Sequence, residues 1–327
     1  MANQRLSQNK RALVLAAICE GTPINAICRM LGCAKETVLR VIEESGTALA
    51  DYMHRNFRDL PCARIEMDEQ WQYVGEHGQR MDDAKKKANP NHGDFWLWCA
   101  IDADTKLVFS FLIGRRTWRA GEDFVADVAQ RVVGGCQIAT DNHRSYAPQI
   151  RAYFGYEAKE FSYGTETKVF GEPNDWNPTE WQLRRKNGVA KVAKATREAV
   201  YGSPDLGSLT TSHVERVFLS VRQELARFTR MTLAYSKTLE MHKATVNLFM
   251  GVYNLVRRHK GIDGQTPAVA AGIEDHRWTL EEVVEMTDAY WQPIYAARAA
   301  RKAKAKRASE DAEFLKALAK IERGSKS

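Results

Sequence analysis

The chain has 327 residues, 44% hydrophobic and 27% charged, which is long enough for a sizeable core and typical of a globular rather than a disordered or fibrous protein. A net charge of +7 suits a polyanionic partner, nucleic acid being the commonest, although many basic proteins have none. No stretch reaches the roughly 18 consecutive apolar residues of a membrane span. The first ten residues lack the apolar core of a secretion signal, so no membrane partner and a cytoplasmic setting are expected. The six cysteines form no CxxC pair, which argues against a zinc ribbon and for a reduced compartment.

Residues 8–46 read as a helix-turn-helix. Leu13, Val14, Ala17 and Ile18 form the stripe of a first helix that stops at Gly21. Thr22 and Pro23 open a short second helix, as N-cap and first-turn proline. After Gly32, the spacing of Ala34, Val38, Val41 and Ile42 predicts a third helix, with Gly46 as its cap. Lys35, Thr37 and Arg40 then stand at the exposed start of that helix, where a recognition helix meets bases and phosphates. Small three-helix modules also serve as protein-protein domains. The expected division is a helix-turn-helix domain over 1–50, a linker over 51–62, an α/β domain over 63–273 and a helical, basic tail over 274–327.

Residues 64–75 predict a strand. Ile65, Met67, Trp71 and Tyr73 alternate with Glu66, Asp68, Gln70 and Gln72, one apolar face against one polar face. Three carboxylates in four positions (Glu66, Asp68, Glu69) repel one another, and a divalent cation held by oxygen ligands would offset them. Taken alone, the stretch reads as an edge strand with a solvated acidic face. A polar insertion follows over 76–93, with Lys85, Lys86 and Lys87 at a solvated hairpin tip or on a phosphate backbone. Residues 95–102 and 107–114 are apolar runs joined by a tight turn, an antiparallel hairpin. A helix around 120–132 and a buried strand over 136–140 complete a β-β-β-α-β order. The expected fold is therefore α/β, an RNase H-like mixed sheet flanked by helices and preceded by an all-α helix-turn-helix domain.

Asp141 ends that last strand. It reads as a helix N-cap, or as a carboxylate at the ligand-gathering edge of the sheet, facing Asp68 from the neighbouring strand. Within a basic insertion at about 162–208, Trp176 and Trp181 interleave with Arg184, Arg185 and Lys186. This is either a surface that holds DNA by stacking and phosphate contacts or one solvated helix face. From Thr210 a long helix is predicted on the stripe Val214, Val217, Phe218, Val221, Leu225 and Phe228, capped by Thr211 or Ser212. Glu215 falls in its first turn, as a helix-dipole carboxylate or as a third metal ligand. Six Lys or Arg lie between Arg298 and Arg307 with no acid until Glu310, a solubilising or DNA-clinging end.

Taken together, MDEQWQYVG (67–75), GDFWLWCAIDADTK (93–106), TDNHRSY (140–146) and TSHVER (211–216) resemble bacterial insertion-sequence transposases of the DDE type. RFTRMTLAYSKTLE (227–240), YNLVRRHKG (253–261) and TPAVAAG (266–272) extend that resemblance, which runs in order from about 60 to 273. It implies an RNase H-like core and two Mg²⁺ or Mn²⁺ ions about 3.5–4 Å apart, held by Asp68, Asp141 and Glu215. It also implies strand hydrolysis at the transposon ends, then attack of the freed 3′-OH on target DNA, with no covalent protein intermediate. End and target DNA are the implied partners, and joining two ends calls for a homodimer or larger multimer associated with the nucleoid. Lys and Arg of 184–230, including Arg184, Arg185, Lys186, Arg222, Arg227 and Arg230, would bind the DNA backbone.

His213 is an auxiliary candidate, for phosphate or water or simply for capping. Glu66 and Glu69 are expected to point away from Asp68 or to lie farther along the strand. Asn142 stands where many relatives have Gly, and His213 where an aromatic is frequent. The four-cysteine zinc site of some relatives does not fit Cys19, Cys28 and Cys33, so no zinc is expected. Two rival functions are a helix-turn-helix regulator derived from a transposase, and an RNase H-like nuclease that cuts without joining.

Overall fold

The architecture is that of a computed structural model, which describes residues 6–156, 160–170, 192–228 and 234–324. Trp176, Trp181, Arg184, Arg185, Lys186 and Arg230 lie outside the described residues. The chain opens with α1 (Gln8–Cys19), α2 (Ile24–Leu31) and α3 (Lys35–Asn56). Ser7 caps α1 by accepting from the Lys10 N–H, and Gly32 ends α2 at φ 62°, a left-handed value that suits glycine.

α3 differs from the expectation. It does not stop at Gly46 but runs unbroken for 22 residues, through the expected boundary at residue 50. Gly46 serves packing instead: a Cβ there would fall 2.1 Å from the Ala244 carbonyl oxygen of α8 (Leu239–Leu255). Gly251 of α8 makes the reciprocal accommodation, since a Cβ on it would meet the Leu49 side chain at 2.7 Å. The absent side chains bring two backbones into contact, and Leu49, Met53 and Phe57 are buried along the seam. The three-helix unit thereby shares one continuous apolar core with the rest of the described chain.

Six strands form one sheet in the order β3-β2-β1-β4-β5-β6: β1 (Arg64–Val74), β2 (Gly93–Asp102), β3 (Val108–Gly114), β4 (Cys136–Thr140), β5 (Phe161–Phe170) and β6 (Val192–Tyr201). β1, β2 and β3 make an antiparallel meander, whereas β4 runs parallel to both β1 and β5, and β6 returns antiparallel on β5. Between β2 and β3, Asp102 accepts from Thr105 Oγ1 at 2.6 Å, closing the predicted tight turn. One face of the sheet carries α5 (Trp118–Arg131) and α6 (Tyr146–Tyr156), and the Trp98 ring meets Phe124 of α5 and Tyr146 of α6. The other face carries α7 (Ser212–Glu224), which is shorter than the predicted stripe because the chain tightens into a 3-10 turn at Ala226–Phe228. The buried Asn254 amide of α8 bonds both the N–H and the C=O of Val108, which blunts the β3 edge.

Helices on both faces explain a second departure. The polar side of β1 is not solvated: Glu66, Gln70 and Gln72 are buried, as are Ile65 and Met67 on the opposite side. β1 is a central strand, dry on both faces, and its alternation marks which partners each face meets rather than which face is wet. Past α9 (Pro267–Ala270), the long α10 (Leu280–Gly324) does not begin as a free tail. Arg11 of α1 holds Asp288 through two 2.6 Å bonds, Tyr295 Oη donates to Glu44 at 2.6 Å, and Val283 and Val284 are buried. Beyond residue 297 the helix is exposed as far as residue 313.

Candidate active site

The site forms where β1 and β4 part. Their register runs from Arg64↔Gln137 to Met67↔Thr140, so Asp68 and Asp141 are the first residues past the last pair on each strand. Parallel strands parting at their C-terminal ends leave an open fork, the usual place for ligands in α/β sheets. Asp68 and Asp141 meet there as expected, and Glu69 joins them: one carboxylate oxygen from each lies within 4.8 Å of the others.

Glu69 is a correction to the expected orientation. Strand parity places it on the face opposite Asp68, on the α5 and α6 side, yet beside the parted strands one of its carboxylate oxygens still comes within 4.8 Å of those of Asp68 and Asp141. Arg116, just before α5, holds Glu69 Oε1 at 2.6 Å, and the buried Tyr146 hydroxyl of α6 donates to Oε2 at 2.7 Å. Adjacency to Asp68 was the signal available in sequence, and Arg116 and Tyr146 carried none.

Asp68 accepts from the Glu69 N–H at 2.7 Å, and Asp141 accepts from the His143 N–H at 3.1 Å. These contacts do not neutralise the cluster. Burial first, then the charges of Asp141 and Glu69, hold the Asp68 carboxyl well above the usual aspartate range, with Glu215 adding a smaller push. Burial and Asp141 also raise Glu69, against the pull of Tyr146 and Arg116. Carboxylates arranged in this way retain protons or take up a cation.

Glu215 is not within that group of three. It stands half-exposed in the first turn of α7, where its Oε1 accepts from Lys168 Nζ of β5 at 2.5 Å and from Thr211 Oγ1 at 2.8 Å. Thr211 is the N-cap residue of α7, yet its side chain makes no capping bond. The caps come from the sheet. Glu66 of β1 accepts from the His213 N–H at 2.8 Å and the Val214 N–H at 3.1 Å, and Glu166 of β5 accepts from the Thr211 N–H at 3.1 Å. Glu66 is thus a buried anion at a helix N-terminus, and His213 turns its Nδ1 to Glu66 at 2.5 Å rather than to the cluster.

Among the sequence-predicted DNA contacts, Lys35 is exposed at the first turn of α3, and Thr37, Arg40 and Arg222 are half-buried. Arg227 is turned inward, where it donates to Ser236 Oγ at 3.2 Å and to the Met241 carbonyl at 3.4 Å; burial lowers its pKa to about 10. Lys35, Arg227 and Lys237 nonetheless line one cleft of about 520 Å³ between the α1–α2 turn, the start of α3 and residues 225–241. None of the clustered carboxylates lines it.

An antiparallel meander, a parallel β1–β4 pair and acids at the resulting fork define an RNase H-like α/β protein. No family model matches the chain, and no curated protein matches it. Among solved structures it is similar to the piggyBac transposase synaptic complex with hairpin DNA, at 12% identity over 88% of this chain and 72% of that one, TM-score 0.37. It is also similar to the Mos1 strand transfer complex (14%, 71% and 80%, TM-score 0.21) and to a pre-cleavage Mos1 transpososome (11%, 77% and 79%, TM-score 0.20). Overlap this loose carries no functional weight, and the fold assignment stands on strand order and register. Among the described residues, no helix is long and apolar enough to cross a membrane.

Proposed function

We propose that the chain is a DNA transposase of the DDE type, which cleaves the ends of its element and joins the 3′-OH to target DNA. The observation that carries this reading is the group Asp68, Glu69 and Asp141 at the β1–β4 fork, mutually repelling and ready for cations. The donor set, all carboxylate oxygen with a fourth acid, Glu215, nearby, fits Mg²⁺ or Mn²⁺. Two such ions, when bound, supply Lewis-acid activation of the attacking oxygen and charge neutralisation at the leaving one. Asp68 and Asp141 would hold them, Glu215 would complete the set, and Arg116 and Tyr146 orient Glu69 beside it. No serine or tyrosine nucleophile is required.

Exposed Lys35 and Lys237, which border one cleft, support a backbone-binding path from the three-helix unit toward the core. The start of α3 is the element assigned to end recognition. Pairing two ends at two such sites makes a dimer or larger assembly the working form.

The test is a cleavage and joining assay on labelled linear DNA carrying the element's own ends, with Mg²⁺ or Mn²⁺ against EDTA. Metal-dependent nicking with joined product is expected. Nicking without joining would assign a nuclease, and binding without cutting under either metal would assign a regulator.

A further inference from the structure

The third predicted acid is already engaged. Lys168 of β5 places its ammonium 2.5 Å from Glu215 Oε1, 3.1 Å from Glu166 Oε2 and 3.1 Å from Thr211 Oγ1. The Lys168 side chain is only 15% exposed, whereas Glu215 is 45% exposed. Glu166 is buried and also holds Arg197 at 3.1 Å, so the support beneath Lys168 is fixed from two further elements. The result is a cation on Glu215 and none, among the described residues, on Asp68 or Asp141.

We infer that Lys168 is a positioning residue that holds Glu215 apart from the Asp68–Glu69–Asp141 group and competes with the second divalent ion for that carboxylate. The inference rests on the metal-centre reading above. A lysine ammonium and a divalent ion both neutralise a carboxylate, but only the ion bridges it to other carboxylates. The protein therefore carries its own monovalent substitute for half of its metal load. Asp68 and Asp141 carry no such competitor among the described residues, Arg116 being held by Glu69, so an ion on that pair would bind more tightly. The second binds only after Lys168 lets go, so the complete centre assembles at a higher metal concentration than the half-filled one.

The experiment is calorimetric titration of the full chain with Mn²⁺ alone, without DNA, for wild type, K168M, K168R and E215Q. Wild type should show one tighter and one weaker binding event. K168M should tighten the weaker event by about three- to tenfold, the range expected for releasing a partly screened ion pair. K168R should resemble wild type, and E215Q should lose the weaker event. Thermal unfolding of each variant checks its fold, and K168Q replaces K168M if the latter does not fold, since it keeps hydrogen-bonding capacity without charge. Two Mn²⁺ events of unchanged affinity in the uncharged variant would overturn the role of Lys168 while leaving the metal centre intact. Absence of any Mn²⁺ binding in wild type and in the uncharged variant would overturn the metal-centre reading and this inference with it.

Discussion

Asp68→Asn isolates the electrostatic cost of the carboxylate group. Two unit charges 4.8 Å apart repel by about 3.5 kcal/mol at an effective dielectric constant near 20. Arg116 already offsets part of this at Glu69, and solvent reaches the fork, so removing the Asp68 charge should stabilise the metal-free protein by about 1–2 kcal/mol. For a chain of this size that corresponds to a rise in Tm of roughly 1.5–3 °C. The sign with pH follows from a raised folded-state carboxyl. The penalty is absent below the ordinary value of 3.8, grows as pH rises toward the raised one, and is full above it. The advantage of the variant is therefore largest near pH 7.5 and shrinks toward pH 5.

Divalent metal should reverse the order. Mn²⁺ at a hundred times its Kd adds about 2.7 kcal/mol to wild type by mass action, and Asp68→Asn forfeits much of that gain. Calorimetric unfolding of both proteins in EDTA and in Mn²⁺, at pH 5 and 7.5, gives all four comparisons. A variant less stable than wild type in EDTA at pH 7.5, or an equal Mn²⁺ shift in both proteins, would refute the reasoning.

The other acids separate by role. Asp141→Ala should abolish cleavage while leaving binding of end DNA intact in a mobility-shift assay; retained cleavage would remove Asp141 from the reaction. Glu66→Ala should instead lower stability by about 2–4 kcal/mol, because two N–H groups of α7 and His213 lose a buried anionic partner. Residual metal-dependent activity, measured below the lowered Tm, is expected there. Gly46→Ala should cost about 3 kcal/mol or more, or leave the chain insoluble, since its methyl meets a backbone carbonyl that has no room to yield. A Tm within 2 °C of wild type, at about 1.5 °C per kcal/mol, would contradict the α3–α8 contact.

What the sequence made legible was mostly local or periodic. The alternation of β1, the hairpin of β2 and β3, and Asp141 at a strand end were enough to bring Asp68 and Asp141 together. Gly46 misled because a helix stop and a close helix–helix approach both ask for glycine, and only the partner, Ala244, distinguishes them. The capping of α7 was invisible for a related reason. Its caps lie on β1 and β5, with Glu66 147 residues from His213, while Thr211 and Ser212 offered two plausible local ones. Glu66 lies farther along the strand as expected, whereas Glu69 joins the carboxylate group because a long side chain beside the parted strands still reaches the fork. Nothing about Lys168 in the sequence pointed toward Glu215.

The unbroken α3 also acts as a measuring rod. From Lys35, at the end proposed for sequence reading, to Gly46, where the seam with α8 begins, the helix rises about 16 Å at 1.5 Å per residue, close to half a turn of B-form DNA. A continuous helix sets rotation as well as length, so inserting one residue would swing the reading end by about 100° while extending it by only about 1.5 Å. Under the proposed function, the interval between the recognised bases and the cut is a mechanical constant of this strut. Mutations near Gly46 would then change where the DNA is cut as well as how stably the protein folds.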